Sequence, residues 1–63
     1  MIDVEDICCN IGMGDSGKEL QAKQETIKYC RDILADQNGL TEGVIKIIAS
    51  SYYDGYLKAL QRE

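Results

Sequence analysis

The sequence predicts an all-α fold, a small helical bundle made of a short N-terminal helix and an antiparallel hairpin of two longer helices. The 63 residues contain no proline, and apolar residues recur at offsets of three and four in three stretches, which is the spacing of one helical face. Glycine-containing segments separate these stretches, where helices are expected to end. We therefore predict a single domain over residues 1–63, with helices at about 3–11, 17–38 and 42–61.

The first predicted helix covers residues 3–11. Asp3 supplies the side chain of an N-cap, and Gly12 supplies a flexible residue at which the helix can end. Alternating apolar residues would also permit a strand here, but the alternation changes phase between Asp6 and Ile7. The spacing therefore favours a helix, whose apolar face consists of Val4, Ile7, Cys8 and Ile11.

The second predicted helix covers residues 17–38. Ser16 and Glu19 have the spacing of a capping box, in which each side chain bonds a backbone amide at the helix start. Lys23 lies inside the apolar arc, where its aliphatic stem can cover the edge of the core. The apolar arc of this helix consists of Leu20, Ile27, Tyr29, Cys30, Ile33 and Leu34.

A short turn joins the second helix to the third, which we predict over residues 42–61. Asn38 and Gly39 suit a left-handed C-terminal cap, and Thr41 suits an N-cap. The turn is therefore short enough to make the two long helices antiparallel neighbours. The apolar arc of the third helix consists of Val44, Ile45, Ile48, Ala49, Tyr52, Tyr56, Ala59 and Leu60.

Several apolar residues of the third helix point to a contact with another protein. A chain this short buries only ~60% of the surface that its unfolded form exposes, so we expect dimerisation or a protein partner to complete the bundle. Tyrosine is common at the centre of protein interfaces, and Gly55 costs a helix about 1 kcal/mol unless something packs closely there. The predicted contact surface consists of Ile47, Tyr52, Tyr53, Tyr56 and Leu57. In the alternative interpretation, these tyrosines complete the core of the monomer.

The charge distribution and composition favour a non-enzymatic protein. The formal net charge is −4, and the excess lies before the first cation, in Asp3, Glu5, Asp6 and Asp15. Nucleic-acid-binding proteins usually carry a basic surface instead, and the absence of histidine leaves few groups for catalysis. We predict a small regulatory or inhibitory protein that acts by protein contact, and one form of it is an acidic inhibitor of a nucleic-acid-binding protein from a mobile element.

A first alternative lies in residues 35–48, "ADQNGLTEGVIKII". This segment resembles the helix-turn-helix of phage repressors in its small residue, its glycine and its apolar positions, which are Ala35, Gly39, Leu40, Ile45 and Ile48. The resemblance implies a DNA-binding regulator whose second helix enters the major groove. The positions that would face DNA are Thr41, Glu42, Gly43, Lys46 and Ile47.

A second alternative is a phosphate or nucleotide binder that uses the loop of residues 12–18. Gly12, Gly17 and Lys18 match the phosphate-binding P-loop, but Glu19 replaces the hydroxyl residue that holds magnesium. That fold also needs a strand before the loop, and the surrounding sequence is helical. The capping-box interpretation of Ser16 needs only the helix that follows.

The cysteines and the apolar runs predict where the protein resides. Cys8, Cys9 and Cys30 are odd in number, and no secretory signal is apparent, so we expect free thiols in a reducing cytoplasm. Without histidine or a C-x-x-C motif we predict no metal and no cofactor. No apolar run reaches the ~20 residues that span a bilayer, so no membrane association is expected.

Overall fold

The computed structural model describes residues 2–62 and contains three helices: α1 at Val4–Asn10, α2 at Gly17–Asp36 and α3 at Glu42–Gln61. The all-α prediction is confirmed, as is the division into one short and two long helices. The predicted end of the second helix at residue 38 is wrong. Gln37 adopts an extended backbone with φ −124° and ψ 126°, which ends α2 at Asp36.

The caps of α1 follow the sequence prediction. The Asp3 carboxylate accepts a hydrogen bond from the backbone N–H of Asp6 at 3.2 Å, which satisfies one of the free amides at the helix start. Ile11 is the C-cap, and Gly12 follows it with a φ of +84°. A glycine is favoured there because other residues rarely adopt positive φ.

α2 and α3 form an antiparallel hairpin, and they make the most extensive contact between helices in the described residues. Close to the turn, the Thr41 hydroxyl accepts from the Val44 N–H at 3.3 Å, which confirms Thr41 as the N-cap of α3. At the far end, Lys18 Nζ donates to the Leu60 carbonyl oxygen at 2.8 Å. The lysine thus satisfies a carbonyl group in the last turn of α3, where a cation is favoured by the helix dipole.

The predicted capping box at the start of α2 is not formed. Ser16 is the N-cap residue, but its side chain makes no capping hydrogen bond. Gly17 has a φ of +60°, so the chain does not enter the helix in the geometry that a capping box requires. The Glu19 carboxylate instead lies over Gly14, where an added Cβ would collide with it.

The hydrophobic core lies where α1 packs across one side of the hairpin. α1 contacts both α2 and α3, and its apolar face contributes three of the buried side chains. Thr26 is the buried polar residue of the core, and its hydroxyl donates to the Ala22 carbonyl at 2.7 Å, which removes the cost of burying it. The core cluster consists of Val4, Ile7, Cys8, Met13, Cys30, Ile45 and Ala49.

The two N-caps of the long helices provide a matched test of this structure. Replacing Thr41 with Ala removes the bond to the Val44 amide, so the free energy of unfolding should fall by about 1 kcal/mol. Ser16→Ala removes no capping bond and should change that free energy by a few tenths of a kcal/mol at most. Urea unfolding followed by circular dichroism measures both, and equal losses would contradict the assignment of the caps.

Candidate contact surface

The five predicted contact residues lie on two different sides of α3. Ile47 and Tyr52 line one groove together, and Tyr56 stacks against Tyr52. Tyr53 instead packs against the core cluster, and Leu57, one helical turn further along, is half-buried. The predicted surface is therefore divided, because neighbouring residues of an α-helix point about 100° apart.

Tyr53 holds the loop between α1 and α2. Its hydroxyl oxygen accepts a hydrogen bond from the backbone N–H of Gly14 at 3.2 Å, across 39 residues of sequence. Met13, the preceding residue, is buried in the core cluster. Tyr53 therefore stabilises the fold of the chain itself, which is the role that the alternative interpretation gave to the tyrosines.

Three tyrosines form a stack on the other side of the hairpin. The rings of Tyr29 and Tyr52 lie 4.4 Å apart with an interplanar angle of 12°, and those of Tyr52 and Tyr56 lie 5.9 Å apart with an angle of 24°. Such pairs contribute about 0.5–1.5 kcal/mol beyond the area that they bury. Partial burial raises the pKa of Tyr52, and the nearby Glu25 carboxylate adds to the shift.

An open apolar groove of about 410 Å³ runs beside this stack. Two of its lining residues are exposed to solvent, Ile47 by 69% and Tyr29 by 42%. Val44, one helical turn before Ile47 and Ile48, is 40% exposed. Large apolar side chains in one contiguous exposed patch are typical of interaction sites. We call this surface the groove face, and it consists of Tyr29, Val44, Ile47, Ile48, Ser51 and Tyr52.

Sequence reasoning assigned Tyr29 and Val44 to the apolar arcs of their helices and did not place them on a contact surface. Both lie within those arcs, but α1 covers the hairpin from one side and leaves these residues uncovered. The period of the apolar pattern gives the width of an arc. It does not tell which part of the arc a seven-residue helix will cover.

Two further grooves flank the contact between α1 and α2. Arg31 Nη2 and Glu5 Oε1 lie 2.6 Å apart between these grooves, and both side chains are more than half exposed. Exposed ion pairs contribute at most about 1 kcal/mol. This side of the hairpin is therefore covered by α1 and bridged by an exposed ion pair, and its two grooves remain open.

The arrangement of the helices at residues 35–48 differs from that of a helix-turn-helix. In that motif the two helices cross at about 90–120°, whereas α2 and α3 run antiparallel from Thr41 to the contact between Lys18 and Leu60. Thr41, Glu42, Gly43 and Lys46 are exposed at the start of α3. The Lys46 ammonium lies 3.9 Å from the Glu42 carboxylate, which offsets part of the single positive charge in this segment.

The loop of residues 12–18 is occupied by contacts within the chain. Lys18, which a phosphate site would need beside the loop, bonds the end of α3. Lys23 Nζ lies 2.6 Å from Asp15 Oδ1 and 3.5 Å from Cys9 Sγ, and its side chain is 12% exposed. The hydrogen bond to Asp15 is the main cause that raises the pKa of Lys23.

The three cysteines are free, and they occupy two kinds of environment. Cys8 and Cys30 are fully buried, whereas Cys9 is exposed. Burial raises the pKa of the Cys8 thiol from its ordinary value of 9.0 to about 11, with a smaller contribution from Cys30. Burial also raises the pKa of Cys30. Cys8 and Cys30 thus act as small apolar residues of the core.

Comparisons with known proteins add no assignment to this surface. No protein-family model, no curated protein and no solved structure matches the chain. Within residues 2–62, no set of three or more cysteine and acidic side chains is arranged to hold a metal ion. None of the three helices in the described range combines the length and the apolar character that crossing a membrane requires.

Tyr53→Phe tests the anchoring of the loop. The substitution keeps the ring but leaves the Gly14 amide without its acceptor, so the free energy of unfolding should fall by about 1 kcal/mol. Tyr52→Phe keeps the stacked ring and should change this free energy less. Hydrogen exchange at Gly14, measured by NMR, should be faster in Tyr53→Phe, and unchanged exchange at that amide would contradict the anchoring role.

The raised pKa of Cys8 predicts a loss of stability at alkaline pH. The pKa of Cys8 is higher in the folded state than in the unfolded state. The buried, neutral thiol therefore contributes fully to the free energy of unfolding below about pH 9, and this contribution is lost as the pH rises to about 11. Urea unfolding over this range should show a steeper decline in the wild type than in Cys8→Ala. Cys9→Ala is the control, because it removes an exposed thiol and leaves the buried Cys8 thiol in place, so its decline should stay steeper than that of Cys8→Ala. Equal slopes in all three proteins would contradict the prediction.

Proposed function

We propose that this protein is a small non-enzymatic regulator or inhibitor that acts by binding another protein through the groove face. The observation that carries the proposal is the exposed apolar surface formed by Ile47, Val44 and the edge of Tyr29 beside an ordered tyrosine stack. Helix side chains of this kind, set in a groove of about 410 Å³, offer a partner both an apolar anchor and a pocket.

The order of the groove face supports tight contact. Binding normally costs about 0.5–1.5 kcal/mol for each flexible side chain that becomes fixed. Tyr29 and Tyr52 are already stacked at 4.4 Å, so less freedom remains to be lost. Their rings provide large apolar areas, and their hydroxyl groups suit the wet edge of an interface.

The acidic excess supports a role in partner selection. Asp3, Glu5 and Asp6 belong to α1 and its cap, and all three are exposed. A concentration of one sign of charge increases the rate at which an oppositely charged partner approaches. This distribution supports, as a narrower form of the proposal, an acidic inhibitor of a basic nucleic-acid-binding protein, of the kind that mobile elements encode. The three free thiols support a reducing compartment such as the cytoplasm.

The alternative functions receive less support. DNA binding through Thr41, Glu42, Gly43 and Lys46 would rest on one cation that is paired with an acid, and affinity for DNA depends mainly on such cations. Phosphate binding at the loop of residues 12–18 would need Lys18 to leave the Leu60 carbonyl. Protein contact is therefore the function that the surface supports best.

Capture from a lysate of the native host tests the proposal. The immobilised protein should retain a protein partner after nuclease treatment, and Ile47→Lys should lose it, because a charge then replaces an apolar anchor. The charge-matched control is Gln24→Lys. Gln24 is exposed and lines the groove between α1 and α2, so this variant should retain the partner. Mass spectrometry identifies the bound protein.

Two results of that experiment would count against the proposal. Recovery of nucleic acid that disappears on nuclease treatment would favour the DNA-binding alternative, which Lys46→Glu should then abolish. Loss of the partner in both Ile47→Lys and Gln24→Lys would show that added charge, and not the groove face, determines binding.

A further inference from the structure

The hairpin of α2 and α3 is a single layer of two helices, and its two sides differ. α1 covers one side, and the groove face lies on the other. We propose that in the free protein a second copy of this chain covers the groove face, so that the four long helices of two protomers form one bundle. This inference rests on the proposed function in taking the groove face as a contact surface, and it names the occupant.

The distribution of charge favours a second copy over a basic partner as this occupant. The six residues of the groove face are uncharged, whereas the acidic excess of the chain begins with Asp3, Glu5 and Asp6 on the side of α1. Two copies that meet through their groove faces therefore keep these acids apart. The acids that would steer a basic partner lie on α1, and Glu25 near Tyr52 is outside those six residues. The groove face itself is therefore apolar, and homodimer interfaces are more apolar than other contacts.

The charges beside the groove face also permit two copies to approach. Asp54 and Lys58 of α3 neutralise each other within one protomer, with Oδ2 and Nζ 3.2 Å apart. α3 thus brings balanced charge to the contact, and like-charge repulsion between its two copies is small.

The dimensions of the protomer set an upper limit on the area that a dimer could bury on one side. The protomer measures 36 × 19 × 15 Å, so its largest side projects an area of about 700 Å². Stable interfaces bury about 600–1,000 Å² on each partner. A stable dimer of this chain therefore has to bury nearly the whole side of the hairpin. Two hairpins packed face to face bury that much, whereas a contact through Ile47 alone does not.

Gly55 gives independent support for a close approach at this side. It lies four residues after Ser51 of the groove face, hence above it on the same side of α3, and a glycine in a helix interior costs about 1 kcal/mol relative to alanine. Beyond the neighbouring turns of α3, no atom of residues 2–62 lies within 4 Å of a Cβ built at Gly55. Packing within the protomer therefore does not require glycine here, whereas a second helix at 8–10 Å would benefit from it.

Sedimentation equilibrium of the purified protein, over a range of concentrations, tests the inference. The wild type should fit a monomer–dimer equilibrium. Gly55→Leu fills space that is open in the protomer, and Ile47→Lys charges a side chain that is 69% exposed. Both variants should raise the dimer dissociation constant at least about tenfold with unchanged helicity by circular dichroism. Gln24→Leu and Gln24→Lys are the matched controls and should dimerise as the wild type does.

Two outcomes would overturn the inference: a wild type that is monomeric at every concentration, and a dimer that neither Gly55→Leu nor Ile47→Lys weakens. If Gly55→Leu loses helicity, Ile47→Lys alone decides. The two proposals can fail separately. If the protein is a monomer that still captures a partner through Ile47, the dimer is overturned and the proposed function stands. If it is a dimer that depends on Ile47 but captures no protein, the dimer stands and the proposed function is overturned.

Discussion

The packing of α2 against α3 is the contact on which the rest of the structure depends. Most of the stability of a helix in a protein comes from packing of its apolar face, and α1, with seven residues, is too short to be stable alone. Ile45 and Ala49 of α3 meet Cys30 of α2 in the core, and α1 then finds an apolar surface on which to fold. The loop between α1 and α2 gains its order from the same surface, through Met13 and the hydroxyl of Tyr53.

The same packing explains why one side of the molecule is left apolar. Because α1 has only seven residues, it cannot cover all of the apolar surface of the hairpin. Stacking of Tyr29, Tyr52 and Tyr56 reduces the exposed apolar surface, because each ring covers part of the next. Ile47 and Val44 remain exposed. The surface proposed for partner binding is thus a consequence of the unequal lengths of the helices.

The sequence predicted the helices well because their signals are local. The recurrence of apolar residues marked all three, and Asp3 and Thr41 cap as their chemistry suggests. The capping box at Ser16 was wrong because it depends on the backbone of Gly17, whose positive φ the sequence does not reveal. The division of Tyr52 from Tyr53 could not be predicted either, since it depends on where α1 lies across the hairpin and on the distant amide of Gly14.

The path of the chain places its two described ends far apart. Ile2 lines a groove together with Leu34, close to the turn of the hairpin, whereas Leu60 meets Lys18 at the opposite end of a molecule 36 Å long. The chain therefore runs from the turn end of the hairpin at Ile2 to the opposite end at Leu60. This separation follows from the order of the helices, because α1 folds back over α2 near the turn while α3 ends beside the start of α2.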